Sequence, residues 1–434
     1  MKALVWHNIG DIRLENVSEP RIKDPTDAIV RITTSAICGT DLHMIRGTMS
    51  GMKRGTILGH EGVGIVEELG QDVRNLSVGD RVVIPSTIAC GVCSYCRAGY
   101  YAQCDGANPN GTMKGTAFFG GPADSGPFHG LQAEFARVPY ANVGLVKLPE
   151  DVTDDQAILL SDIFPTGYFG AELAEIGHGD VVVVFGCGPV GQFAIASAKL
   201  RGAGRIFAVD SVPTRLAVAR MQGAEVINFN EEDPVEALAR LTNGIGPDRA
   251  IDAVGVDAER PHGGPGLKTA KKNADEFERE LHEVAPKTHP DGENWRPGDG
   301  PSQVLQWAVQ SLAKAGTLAV IGVYPLTVTT FPIGAAMNKN LTIQMGNCHH
   351  RRYIPDLLNL VRSGQIDPSR LVTQQEPFYN VLEAYAAFDR RDSGWLKVEL
   401  KTGYDEMTED LPPAEMVKKS GELKVEAASQ VRSA

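Results

Sequence analysis

The sequence predicts an α/β protein in two parts, a β-rich module followed by a doubly wound parallel sheet. Three observations carry that prediction. The opening part alternates apolar and polar residues between Pro and Gly breaks. Val181-Val182-Val183-Val184-Phe185 is an unbroken apolar run of the kind buried on both faces of a parallel sheet. It leads into Gly186-Cys187-Gly188-Pro189-Val190-Gly191, then an apolar helix, then a second strand ending at Asp210, the order and spacing of a dinucleotide-binding turn.

With 434 residues and 42% apolar content, the chain has material for two or more cored domains. Acidic residues outnumber basic ones 54 to 42, for a net charge of −12, and no basic stripe is present. Nucleic acid is therefore not an expected partner. The start, Met1-Lys2-Ala3-Leu4-Val5-Trp6-His7, lacks a secretory apolar stretch, and no long uncharged apolar run occurs, so the expectation is a cytoplasmic protein without a membrane partner. Seven cysteines, four of them bunched, point to metal binding in a reducing compartment more than to a disulfide framework.

Element by element, strands are expected at 3–5, 12–17, 28–32, 63–66 and 81–85, with Val78-Gly79-Asp80 as the turn before the last. Cys38 and His60 then fall in connections beside strands. Residues 105–130, rich in glycine and carrying Phe118, Phe119 and Phe128, read as loops that line a pocket. A returning strand at 131–139 and a short helix at 157–160 lead to Asp162. Past Asp210, strands at 224–228, 249–255, 317–323 and 341–346 alternate with helices. A polar insertion at 256–303 interrupts them, as a functional lid or a floppy excursion, and its middle suits a solvated helix at 270–284. Helices at 354–363 and 381–390 and a strand at 395–400 follow. The mixed-charge tail, 401–434, is expected to be disordered.

Three groups of residues carry chemistry. Gly59-His60-Glu61-Gly62 sets an imidazole beside a carboxylate in a glycine-rich turn. Taken singly, His60 reads as a surface histidine and Asp162 as a helix cap or solvated carboxylate. Taken with Cys38, they supply a thiolate, an imidazole and a carboxylate, and three protein ligands leave a tetrahedral zinc the open position of a catalytic ion. Glu61 then tunes that ion or exchanges with its ligands. Cys90, Cys93, Cys96 and Cys104 fit a closed structural zinc site. An iron–sulfur cluster competes, since the first three share ferredoxin spacing, although Cys104 precedes Asp105 in place of Pro and stands too far along; free structural thiols are a further alternative. In the glycine-rich turn, Gly186, Gly188, Pro189, Val190 and Gly191 open a helix whose bare N-terminus receives a pyrophosphate. Asp210 takes the adenosine ribose hydroxyls and repels a 2′-phosphate, which favours NAD over NADP. Arg215 tempers that preference, because a guanidinium covers either adenine or a phosphate. Cys187 and Cys348 read as structural thiols.

With both cysteine sets, the Gly-His-Glu stretch and the dinucleotide turn in this order, the sequence resembles the zinc-containing medium-chain alcohol dehydrogenases over nearly all of residues 1–400. The resemblance implies a GroES-like catalytic domain at 1–162 with a structural-zinc lobe at about 90–104, a Rossmann coenzyme domain at 163–347, and a return to the first domain at 348–400. It implies two zinc ions per chain, NAD, a small alcohol or aldehyde substrate, and a homodimer or homotetramer. Asp162 stands where the liver-type enzymes have a second cysteine. Together with the insertion, it leans toward the glutathione-independent formaldehyde dehydrogenase and dismutase branch, so the alternative is an aldehyde dismutase with retained NAD and residues 256–303 folded over it. By the same resemblance Thr40 takes the alcohol's proton and passes it, through the nicotinamide ribose, to His43 at the solvent edge, while Thr166, Gly322 and Val323 contact the nicotinamide half. Two other classes remain in view, an alkene or quinone reductase and a catalytically silent nucleotide-binding protein. The first commonly lacks the metal ligands and the second would tolerate loss of Thr40 or His43, yet all are present here.

Overall fold

The computed structural model describes residues 1–111 and 114–403, so the disorder expected for the tail lies outside the described residues beyond 403. Within them the apolar run Val181–Phe185 is the middle of a six-stranded parallel sheet, ordered Glu225–Asn228, Arg205–Asp210, Val181–Phe185, Arg249–Asp252, Thr317–Val320, Thr342–Met345. Alternate side chains explain its double burial: Val183 and Phe185 enter one core with Phe207, Trp307 and Leu318, while Val182 and Val184 enter another with Ile195 and Ile251. Strand order reverses beside Val181–Phe185, and that switch point is where an open α/β sheet leaves a crevice at its carboxyl ends.

The β-rich part is organised on the strand Ala28–Ile37. It pairs antiparallel with Gly62–Leu69, with Phe135–Val138 and, at its far end, with Val398–Lys401. The chain therefore returns to its first module after crossing the parallel sheet. That last strand runs one residue past the expected limit, to Lys401.

Two helices were not legible. Gly39–Arg46 follows directly on Cys38, where a simple connection was expected, and Ile163–Leu173 follows on Asp162. The second carries Pro165 in its first turn, where a missing N–H costs nothing. It packs on the helix Pro189–Leu200 through stacked Phe164 and Phe193, 4.7 Å apart.

The insertion is neither floppy nor laid over the crevice. Its polar run breaks into Leu267–Lys272 and Ala274–Val284, and the second helix is amphipathic, burying Phe277, Glu280 and Val284, where a solvated helix was expected. Its far end leaves the parallel-sheet half altogether: Trp295 is buried with Trp6, Met44 and Phe388 of the β-rich half. A buried arginine closes this joint. Arg46 donates to Asp257 Oδ2 at 2.8 Å and to Asp389 Oδ1 at 2.9 Å, while Asp389 Oδ2 accepts the Trp295 N–H at 2.7 Å. Burial works against the Arg46 charge, but the two carboxylates raise its pKa all the same.

Removing one member of such a buried set strands the others, at a cost of about 3–5 kcal/mol. Arg46→Met should therefore lower the unfolding free energy by about that amount, measured as a shift of the denaturant midpoint.

Candidate active site

Cys38 ends the long strand and begins the helix Gly39–Arg46 in an extended conformation, its backbone N–H donating to Asp41 Oδ2 at 3.0 Å. The other oxygen of Asp41 lies 3.1 Å from His60 Nδ1, and Asp41 is fully buried. A carboxylate only accepts, so Nδ1 carries the proton and the Nε2 lone pair faces inward. Nε2 lies 3.0 Å from Asp162 Oδ2, which is in turn 3.7 Å from Cys38 Sγ. A lone pair facing a carboxylate oxygen at that distance calls for a cation or a proton between them. Burial alone would suppress the imidazolium, but the Asp41 carboxylate, the Cys38 sulfur and Asp162 hold His60 well above its usual pKa. Burial would likewise raise Asp162, yet His350 and His60 hold it well below the carboxylate range. Cys38 is pushed up by burial, with His60 opposing. The donor set fits a divalent cation of zinc type, with one sulfur, one nitrogen and one oxygen.

The turn that places His60 requires glycine. Gly59 has φ +88°, and a Cβ there would lie 2.4 Å from Cγ of Gln132. Gln132 cannot move away cheaply, since it bonds both the Ala36 carbonyl and the Tyr385 hydroxyl.

Glu61 joins the same cluster, with a ligand atom of each of Cys38, His60, Glu61 and Asp162 within 4.8 Å of the others. Its carboxylate is held by Lys397 Nζ at 2.6 and 2.7 Å, and Nζ also donates to the Ile37 carbonyl. Both side chains are fully buried. Burial pushes Glu61 up to about 7 even against the charge of Lys397. Lys397 escaped the sequence reading; its signal was a lysine set in the apolar stretch Trp395-Leu396-Lys397-Val398.

Cys90, Cys93, Cys96 and Cys104 also converge, their sulfurs within 4.8 Å of one another. Cys93 Sγ and Cys104 Sγ are 3.9 Å apart, against about 3.8 Å for the edge of a tetrahedron with ~2.3 Å zinc–sulfur bonds. Backbone N–H groups of Cys90, Val92 and Cys96 point at these sulfurs. Burial raises the Cys93 thiol, but hydrogen bonds from the Cys96 and Asp105 backbone bring it down to about 6.

One cavity of about 690 Å³ links the first cluster to the dinucleotide turn. Its lining includes Cys38, Thr40, His60, Asp162 and Thr166 beside the first cluster, Gly186, Gly188, Pro189, Val190, Asp210 and Arg215 beside the dinucleotide turn, and Gly322 and Val323. Gly191 and Glu61 do not reach it. Gly191 acts through backbone packing, since a Cβ there would sit 1.9 Å from the Gly186 carbonyl oxygen. Asp210 is anchored by three backbone N–H groups, of Cys187, Ser211 and Val212. His43 also lines the cavity, but not at a solvent edge as expected: it is 5% exposed, with Nδ1 2.9 Å from Thr48 Oγ1 and 3.1 Å from Asp257 Oδ2. Of the insertion, only its first residues, Asp257, Ala258 and Glu259, line the cavity, which corrects the expectation that 256–303 as a whole covers the cofactor.

Comparison with known proteins assigns the chain to a family. Residues 24–150 match the alcohol dehydrogenase GroES-like domain and residues 189–260 the zinc-binding dehydrogenase domain. An uncharacterized zinc-type alcohol dehydrogenase-like protein of Bacillus subtilis is 36% identical over 348 residues, 79% of this chain and 85% of that protein. The chain belongs to the zinc-type alcohol dehydrogenase family. As a zinc-type alcohol dehydrogenase it superimposes on alcohol dehydrogenase TADH from Thermus sp. ATN1 with a TM-score of 0.74 and 33% identity, over 92% of this chain and 99% of that one. It also shares 42% identity with glutathione-independent formaldehyde dehydrogenase of Pseudomonas aeruginosa, over 48% of this chain and 52% of that protein. No helix among the described residues is long and apolar enough to cross a membrane.

Lys397→Met leaves the Glu61 carboxylate buried without its cation, and should cost about 3–5 kcal/mol in denaturant unfolding, most of it recovered when Glu61→Gln is added.

Proposed function

We propose that this dehydrogenase holds two zinc ions and transfers a hydride between NAD and a small alcohol or aldehyde hydrate. The observation that carries the reading is the single cavity with Cys38, His60 and Asp162 at one end and the Gly186–Gly188 turn with Asp210 at the other. One thiolate and one carboxylate balance the charge of one divalent ion, and the four sulfurs of Cys90, Cys93, Cys96 and Cys104 surround room for a single structural ion and not a multi-iron cluster. When bound, the ion supplies Lewis acidity toward the substrate oxygen and the nicotinamide supplies the hydride acceptor. The chain's own residues do the rest. Thr40, on the first turn after Cys38, accepts the substrate hydroxyl's proton as it gives up its own, and His43, one turn further along the same helix, takes the released proton while Asp257 steadies its ring. Thr166, Gly322 and Val323 shape the cavity wall for the nicotinamide half, and Glu61 adjusts the field at the metal set through Lys397.

NAD is favoured over NADP because Asp210 places a carboxylate where a 2′-phosphate would sit. Arg391, the second guanidinium at that end, is committed to Glu259. The chain works as a homodimer or homotetramer; the edge strand Thr342–Met345 and the exposed Leu326, Ile333, Met337 and Met345 support an apolar contact face.

One observation favours aldehyde dismutation with retained NAD as a second reading. Asp257 and Glu259 line the cavity and are ion-paired to Arg46 and Arg391, which also line it, and these pairs would have to yield if this part of the insertion moved to release a dinucleotide. Protein purified with stoichiometric NAD(H) that resists exchange would favour this reading over free turnover.

Purified protein should contain two zinc ions per chain and form NADH with short alcohols or aldehydes. Cys38→Ser and Asp162→Ala should each lose one ion and at least ~10³ of kcat, with the four-cysteine ion retained. Fully metallated protein that makes no NADH across such a panel, and dismutates no aldehyde, would overturn the proposal.

A further inference from the structure

We propose that His350 is a positioning residue that turns the Asp162 carboxylate so that Oδ2 alone is presented to the ion. The inference rests on the reading of Cys38, His60 and Asp162 as one metal set. A thiolate ligand has one donor atom, so it can occupy only one position on the ion. A carboxylate has two oxygens on a rotatable bond, and a second oxygen on the ion would occupy the position a substrate needs. An aspartate in this set therefore needs a restraint that a cysteine would not.

The structure provides it on the side away from the other ligands. Asp162 Oδ1 lies 2.6 Å from His350 Nε2 and takes the Thr166 hydroxyl at 2.8 Å. Oδ2 is left toward His60 Nε2 at 3.0 Å and Cys38 Sγ at 3.7 Å. Because the carboxylate only accepts, His350 donates from Nε2, and its Nδ1 meets the Thr87 hydroxyl at 3.1 Å. The ring is thus held at both nitrogens, and it is buried, 4% exposed. Its backbone is fixed as well: His350 starts the helix His350–Arg362, and the preceding His349 accepts the Ala102 N–H through Nδ1 at 3.2 Å. Ala102 lies between Cys96 and Cys104, so the segment bearing the ring is pinned to the four-cysteine lobe. Thr166 alone is a weaker restraint, since its hydroxyl rotates and also lies 3.1 Å from His350 Nε2.

The test uses full-length protein with Co²⁺ at the catalytic position, whose visible ligand-field bands report coordination number and whose affinity is read against a chelator. His350→Ala should weaken that affinity about 10–100-fold and change the bands toward higher coordination, while His350→Gln, which returns an N–H near the Nε2 position, should stay within about threefold of the parent and keep its bands. Retained metal at the four cysteines and an unchanged unfolding midpoint identify a folded variant. Should His350→Ala fail to fold, the comparison passes to His350→Asn, whose donor is too short to reach Oδ1 and which should show the altered bands. Parent-like affinity and bands in His350→Ala, or in His350→Asn where that is the folded variant, would overturn the proposal. Asp162→Ala separates this outcome from failure of the underlying reading: loss of the cobalt bands there with a parent-like His350 variant sinks only the positioning role, whereas parent-like bands in Asp162→Ala sink both.

Discussion

Four buried ionisable side chains bring ligand atoms within 4.8 Å of one another, and the rest of the molecule is arranged to make that tolerable. Three of the four have a partner brought from elsewhere in the chain. Asp41 faces the outer nitrogen of His60, Lys397 neutralises Glu61, and His350 with Thr166 takes one oxygen of Asp162. Without these partners the cost of dehydrating so many charges would favour a neutral or collapsed site. The remaining unbalanced atoms, Cys38 Sγ, His60 Nε2 and Asp162 Oδ2, face one another, and a divalent ion is what completes them.

The same economy joins the two halves of the molecule. The crevice at the switch point of the parallel sheet is bounded on one side by the glycine-rich turn and on the other by the helix that starts at Cys38. The insertion links these sides through Arg46, Asp257 and Asp389 and plants Trp295 in the core of the β-rich half. What looked in sequence like an excursion acts as a brace between the domains.

Much of this was readable from the chain. The central strand, the turn after it and Asp210 were legible because a strand buried on both faces must be apolar throughout, and because close approach to a dinucleotide leaves few residue types at Gly186, Gly188 and Gly191. Cys38, His60, Asp162 and the four bunched cysteines were legible as donor types at suggestive positions. Their partners were not. Lys397 and His350 stand 336 and 188 residues from the side chains they serve, and apart from the apolar setting of Lys397 nothing local marks either as part of a site. The helix Gly39–Arg46 was hidden because it buries polar and apolar residues alike, Asp41, His43 and Arg46 with Leu42 and Ile45, and Ile163–Leu173 because most of it is buried and it shows little polar face. His43 was placed at a solvent edge because the side chain that covers it, Asp257, belongs to the insertion.

The return of the chain to its first module has a consequence for biogenesis. Val398–Lys401 completes the sheet begun by Ala28–Ile37, and Lys397 beside it is the cation that Glu61 needs. At translation rates of about 5–20 residues per second, roughly 20–70 s separate synthesis of Glu61 from synthesis of Lys397. For that interval the nascent β-rich half has an open sheet edge and an acid with no counter-charge, so it cannot mature ahead of the parallel sheet that is threaded between its two ends. The half of the molecule that is made first is finished last.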